Sequence, residues 1–250
     1  MRFRKPEIER IAREFWSTVD QNYHENYDII SAVDTSPTID LIKIKNLSIS
    51  KIEEWLIAIG LKDNFDIPDR RLHGVLIIKG DSVAMFIEDD ENPIQQRFTV
   101  AHEVSHYLLD YQIPKEKAIL ALGKEIEDVL NGNLPANNTQ LALSVIKGIN
   151  IDPYSFLIEK TGNGSFEDWK NFNSENEADY LALELLAPRI RIINETFSST
   201  KRLSYSQFTR KSQEILIEKY RIPSDIARQY ASQLAYSVTS GPSFLDKMGF

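Results

Sequence analysis

Apolar positions recur along this chain at two spacings, three to four residues and two, and the change from one to the other divides it into segments. Ile8, Ile11, Ala12, Phe15 and Trp16 fall on one face of a helix over the first twenty residues. The stretch that follows, to about residue 47, is polar and reads as loop. SISKIEEWLIAIG returns to helical spacing and stops at Gly60, with Ser48 or Ser50 as cap and Glu53 three residues after Ser50. RLHGVLIIKG and SVAMFIEDD are β-rich runs divided by Gly80-Asp81, the pattern of a hairpin whose first strand includes His73.

A helix is then predicted from Pro93 to Tyr111: Asn92 can cap it, Pro93 suits its first position, and Gln95 can close a capping box. Further helices are expected near 115–130 and 139–147, separated by NGNLPANN. The loop TGNGS at 161–165 lacks the Lys-Ser/Thr ending of a phosphate-binding loop and reads as a surface turn. Ser174, with Glu177 three residues on, predicts the start of a second long helix ending at Pro188, and helices over 204–220 and 223–237 follow a polar break at 197–203. The tail from Gly241 is expected to be irregular.

This succession gives an α+β, predominantly helical fold with a small β-sheet. It divides the chain into an N-terminal helical segment, 1–65, a core, 66–196, with a helical insertion at about 112–172, and C-terminal helices, 197–250.

Composition narrows the chemistry. The 250 residues contain no cysteine and four histidines, His24, His73, His102 and His106, so any metal must be held by imidazole and oxygen ligands. No apolar run approaches the roughly 18 residues of a membrane span, and the amphipathic N-terminus lacks the apolar core of a signal peptide, so a cytoplasmic location with no membrane partner is expected. A net charge of −8 argues against direct nucleic-acid binding, and Arg202, Arg210 and Lys211 read as a solvated helix face.

Half of the histidines sit in one pentapeptide, His102-Glu103-Val104-Ser105-His106. Four residues apart on a helix, the two imidazoles project about 40° from each other and can grip one ion, while Glu103 on the flank can reach its bound water. Phe98, Val100, Ala101, Val104, Leu108 and Leu109 surround that helix with apolar positions, and burying two imidazoles there needs a partner for each. The third ligand should be a carboxylate or a remaining histidine. On the second long helix, Glu175 and Asp179 share a face with Ala182 and Leu186, opposite Glu177 and Glu184. Glu175 is therefore the expected third ligand and Asp179 the acceptor orienting an imidazole; Glu177 reads as the cap and Glu184 as a solvated charge.

The two blocks RFTVAHEVSHYLLD and ENEADYLALELLAP resemble the ImmA/IrrE-type metallopeptidases through Arg97, Phe98, Thr99, Ala101, His102, Glu103 and His106, then Glu175, Ala178, Asp179, Leu185, Leu186 and Pro188. The resemblance covers about 68–110 and 172–190. It implies a zincin-like core with Zn2+ held by His102, His106 and Glu175, Glu103 as the catalytic residue of peptide hydrolysis, and a regulatory protease whose protein or peptide substrate is a helix-turn-helix repressor. Two departures stand out: Ser105 occupies a position where the family usually has glycine, and the 69 positions between His106 and Glu175 exceed those of compact members. Tyr107 points away from the ligand face, leaving Tyr154, Tyr180 and His73 as candidate oxyanion donors. The competing expectation is a non-enzymatic zinc-containing interaction or sensor module, against which a carboxylate beside an open water position argues.

Overall fold

The computed structural model describes residues 5–61, 68–151, 156–158, 169–198, 202–239 and 241–242. The loop 161–165, Tyr154 and the tail beyond 242 lie outside these. The chain runs α1 (Lys5–Thr18), α2 (Gln21–Asn26), α3 (Ile29–Asp34), β1 (Ile39–Ile44), α4 (Ile49–Ala58), β2 (Gly74–Lys79), β3 (Ser82–Glu88) and α5 (Pro93–His106). It continues through a π-helical turn, Tyr107–Gln112, to α6 (Ile113–Leu122), a 3-10 turn, α7 (Glu127–Leu130), α8 (Asn138–Lys147) and β4 (Phe156–Ile158). The last helices are α9 (Trp169–Leu186), α10 (Arg189–Phe197), α11 (Tyr205–Glu218) and α12 (Ser224–Val238). The α+β, predominantly helical expectation holds.

The sheet has strand order β1-β3-β2-β4. β2 and β3 form the expected antiparallel hairpin, with Lys79 opposite Ser82 and Gly80 at φ +61°, a conformation that suits glycine at the turn. β1 lies parallel to β3 from Ile39↔Val83 to Ile44↔Glu88, and β4 lies antiparallel to β2. Both faces of the hairpin are covered, which is why β2 reads as an unbroken apolar run rather than an alternating one. Leu76, Ile78, Val83, Met85 and Ile87 face the main core, whereas Val75, Ile77 and Phe86 pack with Ile49, Ile52 and Leu56 of α4. Ser48 caps α4, its side chain accepting from the Lys51 N–H.

Local signals failed where a partner distant in sequence decides. Residues 21–44 hold two short helices and β1 instead of a loop; Asp20 and Asp28 cap the helices, and pairing with β3 makes the strand. The helix expected over 115–130 is broken at Gly123 into α6, the 3-10 turn and α7. Pro188 ends α9 but opens α10, so a further helix precedes the polar break. The start expected at Ser174 is also corrected, because α9 already begins at Trp169 and neither Ser174 nor Glu177 can serve as its cap.

α9 packs on α5 and α1, while α5 in turn lies on β2 and β3, so the two motif-bearing helices touch each other more than both touch the sheet. Phe208, Leu216, Tyr230 and Leu234 of the C-terminal helices enter the same buried cluster as Ile8 and Trp16 of α1 and Val100 and Val104 of α5. Arg97, five residues before His102, donates to the Tyr220 carbonyl at 2.6 Å and the Tyr27 carbonyl at 3.2 Å. Residues 112–151 carry a separate small core, Ala118, Ile126, Val129, Leu130 and Ile151. Lys115 fastens it to the hairpin turn by donating to Asp81 at 2.7 Å, and donates to Asn131 of the same stretch at 2.9 Å. Among the described residues, no helix is long and apolar enough to cross a membrane.

Candidate metal centre

α5 begins as its sequence dictates, with Asn92 accepting from the Gln95 N–H at 2.9 Å and Pro93 in the first turn. Every residue from Phe98 to His106 is buried, so the helix presents its two imidazoles inward, away from bulk water. Ser105, at the position where glycine was expected, fits because its hydroxyl donates back to the Ala101 carbonyl at 2.7 Å.

The Nε2 atoms of His102 and His106 face each other at 3.1 Å. Their other nitrogens are each held by a carboxylate: His102 Nδ1 lies 2.9 Å from Asp179, and His106 Nδ1 lies 2.7 Å from Asp110. Carboxylates accept, so each Nδ1 carries its hydrogen and each Nε2 turns a lone pair inward. Glu175, brought in by α9, adds its carboxylate at 3.5 Å from His102 Nε2 and 3.6 Å from His106 Nε2. All three residues are at most 8% exposed. Two lone pairs and a carboxylate cannot converge in a buried space at low free energy without a cation among them. In the protein alone a proton meets this demand: burial opposes a charge on His102, but the carboxylates of Asp179 and Glu175, with Glu103 nearby, outweigh it and push the imidazole up to about 10.

A metal ion meets the same demand. The ligand atoms of His102, His106 and Glu175 lie within 4.8 Å of one another. A tetrahedral ion with nitrogen and oxygen ligands about 2.1 Å away needs ligand separations of about 3.4 Å. The observed 3.1, 3.5 and 3.6 Å bracket that value, so the residues fit such an ion.

Glu103 is 1% exposed and lies against the start of β2. Its room is made by Gly74 at the start of β2, where a Cβ would come within 2.9 Å of Glu103 Oε1 and 2.6 Å of Thr99 Cγ2. Glycine here is a matter of close approach, and the hairpin sets where the Glu103 carboxylate can sit.

Two contributions escaped the sequence reading. Asp110 stands one turn past His106, at the spacing the two histidines themselves share, and that repeat was the available signal. Ser174 donates to Asp110 at 2.8 Å, which ties α9 to the turn that follows α5 and explains what this serine does instead of capping. Glu184 was expected to be a solvated charge, but it is 6% exposed and accepts from the Arg189 N–H at 3.0 Å, at the start of α10. Burial pushes its carboxyl up to about 7, against the lowering effect of that N–H.

The candidate oxyanion donors among the described residues, His73 and Tyr180, are engaged elsewhere. His73 precedes β2 instead of lying within it, and its exposed side chain pairs with Glu91. Tyr180 lies beneath Lys5 of α1, 5.3 Å from its ring centre, and its buried hydroxyl has no hydrogen-bond partner among the described residues. Compared with protein-family models, with curated proteins and with solved structures, the chain matches none.

Proposed function

We propose that this protein is a zinc-dependent endopeptidase with a zincin-like core, of the ImmA/IrrE type that its two motif blocks resemble. The observation that carries the reading is the pair of facing Nε2 atoms, each imidazole backed by a carboxylate, with Glu175 beside both and Glu103 buried on the same helix. Zinc is favoured among metals because the ligand set is two imidazoles and one carboxylate with near-tetrahedral spacing and no thiolate. When bound, zinc supplies Lewis acidity, lowering the pKa of water and polarising a carbonyl.

The remaining work falls to the chain. His102, His106 and Glu175 hold the ion, with Asp179 and Asp110 fixing the tautomer and angle of each imidazole. Glu103 takes a proton from the attacking water and delivers it to the departing amine nitrogen, so that one carboxylate serves both halves of peptide hydrolysis. Its burial beside Gly74 restricts the positions it can take, as a proton carrier requires. The substrate we propose is a helix-turn-helix repressor met in the cytoplasm, so that any influence on DNA runs through a protein. That choice rests on the resemblance and on the −8 charge.

Metal analysis with proteolysis of candidate repressors tests the reading. Glu103→Gln should keep its zinc and lose cleavage by about 10²–10⁴-fold, whereas His102→Ala should lose both. Cleavage by Glu103→Gln at the wild-type rate would overturn the mechanism; zinc binding with no cleavage by any variant would favour a sensor or interaction module.

A further inference from the structure

The carboxylates behind the two imidazoles are held in different ways. Asp179, which takes the His102 Nδ1–H at 2.9 Å, stands on α9 itself, one turn beyond Glu175. Asp110, which takes the His106 Nδ1–H at 2.7 Å, stands on the turn after α5 with its side chain 28% exposed. That turn is π-wound, the Ile113 N–H donating to the Leu108 carbonyl five residues back, a geometry found mostly at functional sites. A carboxylate so placed, held by one imidazole alone, can turn toward water and release the ring it orients. A second donor opposes this. The Ser174 hydroxyl donates at 2.8 Å to Asp110 Oδ2, the same oxygen that accepts from His106.

We infer that Ser174 is a positioning residue of the metal centre: acting through Asp110, it fixes the ring of His106, so that α9 sets the geometry of all three ligands. Glu175 is carried by that helix directly, His102 is reached from it by Asp179, and His106 is reached by Ser174 through Asp110. Helical winding makes this division possible. Ser174 and Glu175 are adjacent and project about 100° apart, so one meets the turn after α5 while the other faces the imidazoles; Asp179, four residues past Glu175, returns to the imidazole side. Two histidines on one helix therefore do not by themselves define the site, because the orientation of each ring depends on where α9 docks. This rests on the metal-binding part of the reading above and is independent of peptide hydrolysis.

The test uses the full chain and two probes, zinc competed against a chelator and Co2+ followed by its visible absorption. Ser174→Ala should bind zinc about tenfold more weakly than the wild type, the lower end of what an orienting partner contributes. Its Co2+ complex should show shifted absorption bands, since the ring of one ligand is no longer fixed. Ser174→Thr keeps the hydroxyl and should match the wild type in both measurements. Two further backgrounds separate the route of the effect. Added to Asp110→Ala, the change Ser174→Ala should cost no further affinity, because the link it acts through is gone; added to Asp179→Ala, which acts on the other imidazole, it should cost the full tenfold. Denaturant titration of the metal-free proteins gives the structural control. A Ser174→Ala chain that loses stability without metal, yet binds Co2+ with the wild-type spectrum, would make the serine a mere tie between elements and overturn the inference. Zinc affinity equal to or above that of the wild type would overturn it too, as would an undiminished loss in the Asp110→Ala background. A wild type that binds neither metal would instead remove the metal reading, and the positioning role with it.

Discussion

The outer nitrogens of the two imidazoles are gripped by carboxylates from different places, Asp179 on α9 and Asp110 on the turn that follows α5. Replacing either by asparagine keeps its size and loses its charge. Competition against a chelator should then show metal affinity lower by about 10–100-fold for each variant. Glu175→Ala should lose far more affinity than Glu177→Ala, and the reverse order would reassign the third ligand. Gly74→Ala tests the close approach between strand and helix: the added methyl group must displace Thr99 or Glu103. It should destabilise the fold by about 1–3 kcal/mol and slow hydrolysis while zinc stays bound, measured by denaturant titration and metal content. At this scale the histidine pair was legible because helical spacing brings both imidazoles to one face of α5, and Glu175 because it shares a face of α9 with Asp179. Asp110 carried the same spacing, but a charge beyond an apolar run reads equally as solvated. Glu184 was not legible, since its burial is completed by residues far from it in sequence.

Helices begin where an anion or a polar side chain meets their free N–H groups, and α10 takes its anion from the preceding helix. The Glu184 carboxyl, raised by burial from its ordinary value of 4.5 to about 7, gives this contact a pH signature. Between those two values the folded chain binds the proton more tightly than the unfolded one, so stability is highest below the lower value and declines as pH rises through the higher. Glu184→Gln keeps an acceptor for Arg189 without the buried charge, so its melting temperature should exceed that of the wild type at pH 8 and converge with it near pH 4. A larger gain at pH 4 would contradict that sign. Elements with their own punctuation, α4 behind Ser48 and α5 behind Asn92 and Pro93, were readable from local sequence. β1 was not, because it is a strand by virtue of β3, and the start of α9 was misread because a true Ser-x-x-Glu pattern lay inside a helix that had already begun.

Across the whole molecule, the helices at the two ends of the described chain complete one core with α5 and α9. Trp16 donates its indole N–H to the Leu185 carbonyl at 3.0 Å, reaching the last turn of the helix that carries Glu175. Trp16→Ala should therefore cost about 3–5 kcal/mol of stability, and the loss of metal on heating should coincide with global unfolding instead of preceding it, which calorimetry alongside a zinc-sensitive dye can follow. The α+β class was visible from the two spacings of apolar residues, but the order of packing was not, because no local pattern says which helix lies on which. Arg97 has a mechanical consequence. Its guanidinium holds Tyr27 and Tyr220 together across the helix that carries His102 and His106, so the early and late parts of the chain meet on that helix. The metal-binding pair is thus carried by the element at which those two parts of the chain are joined.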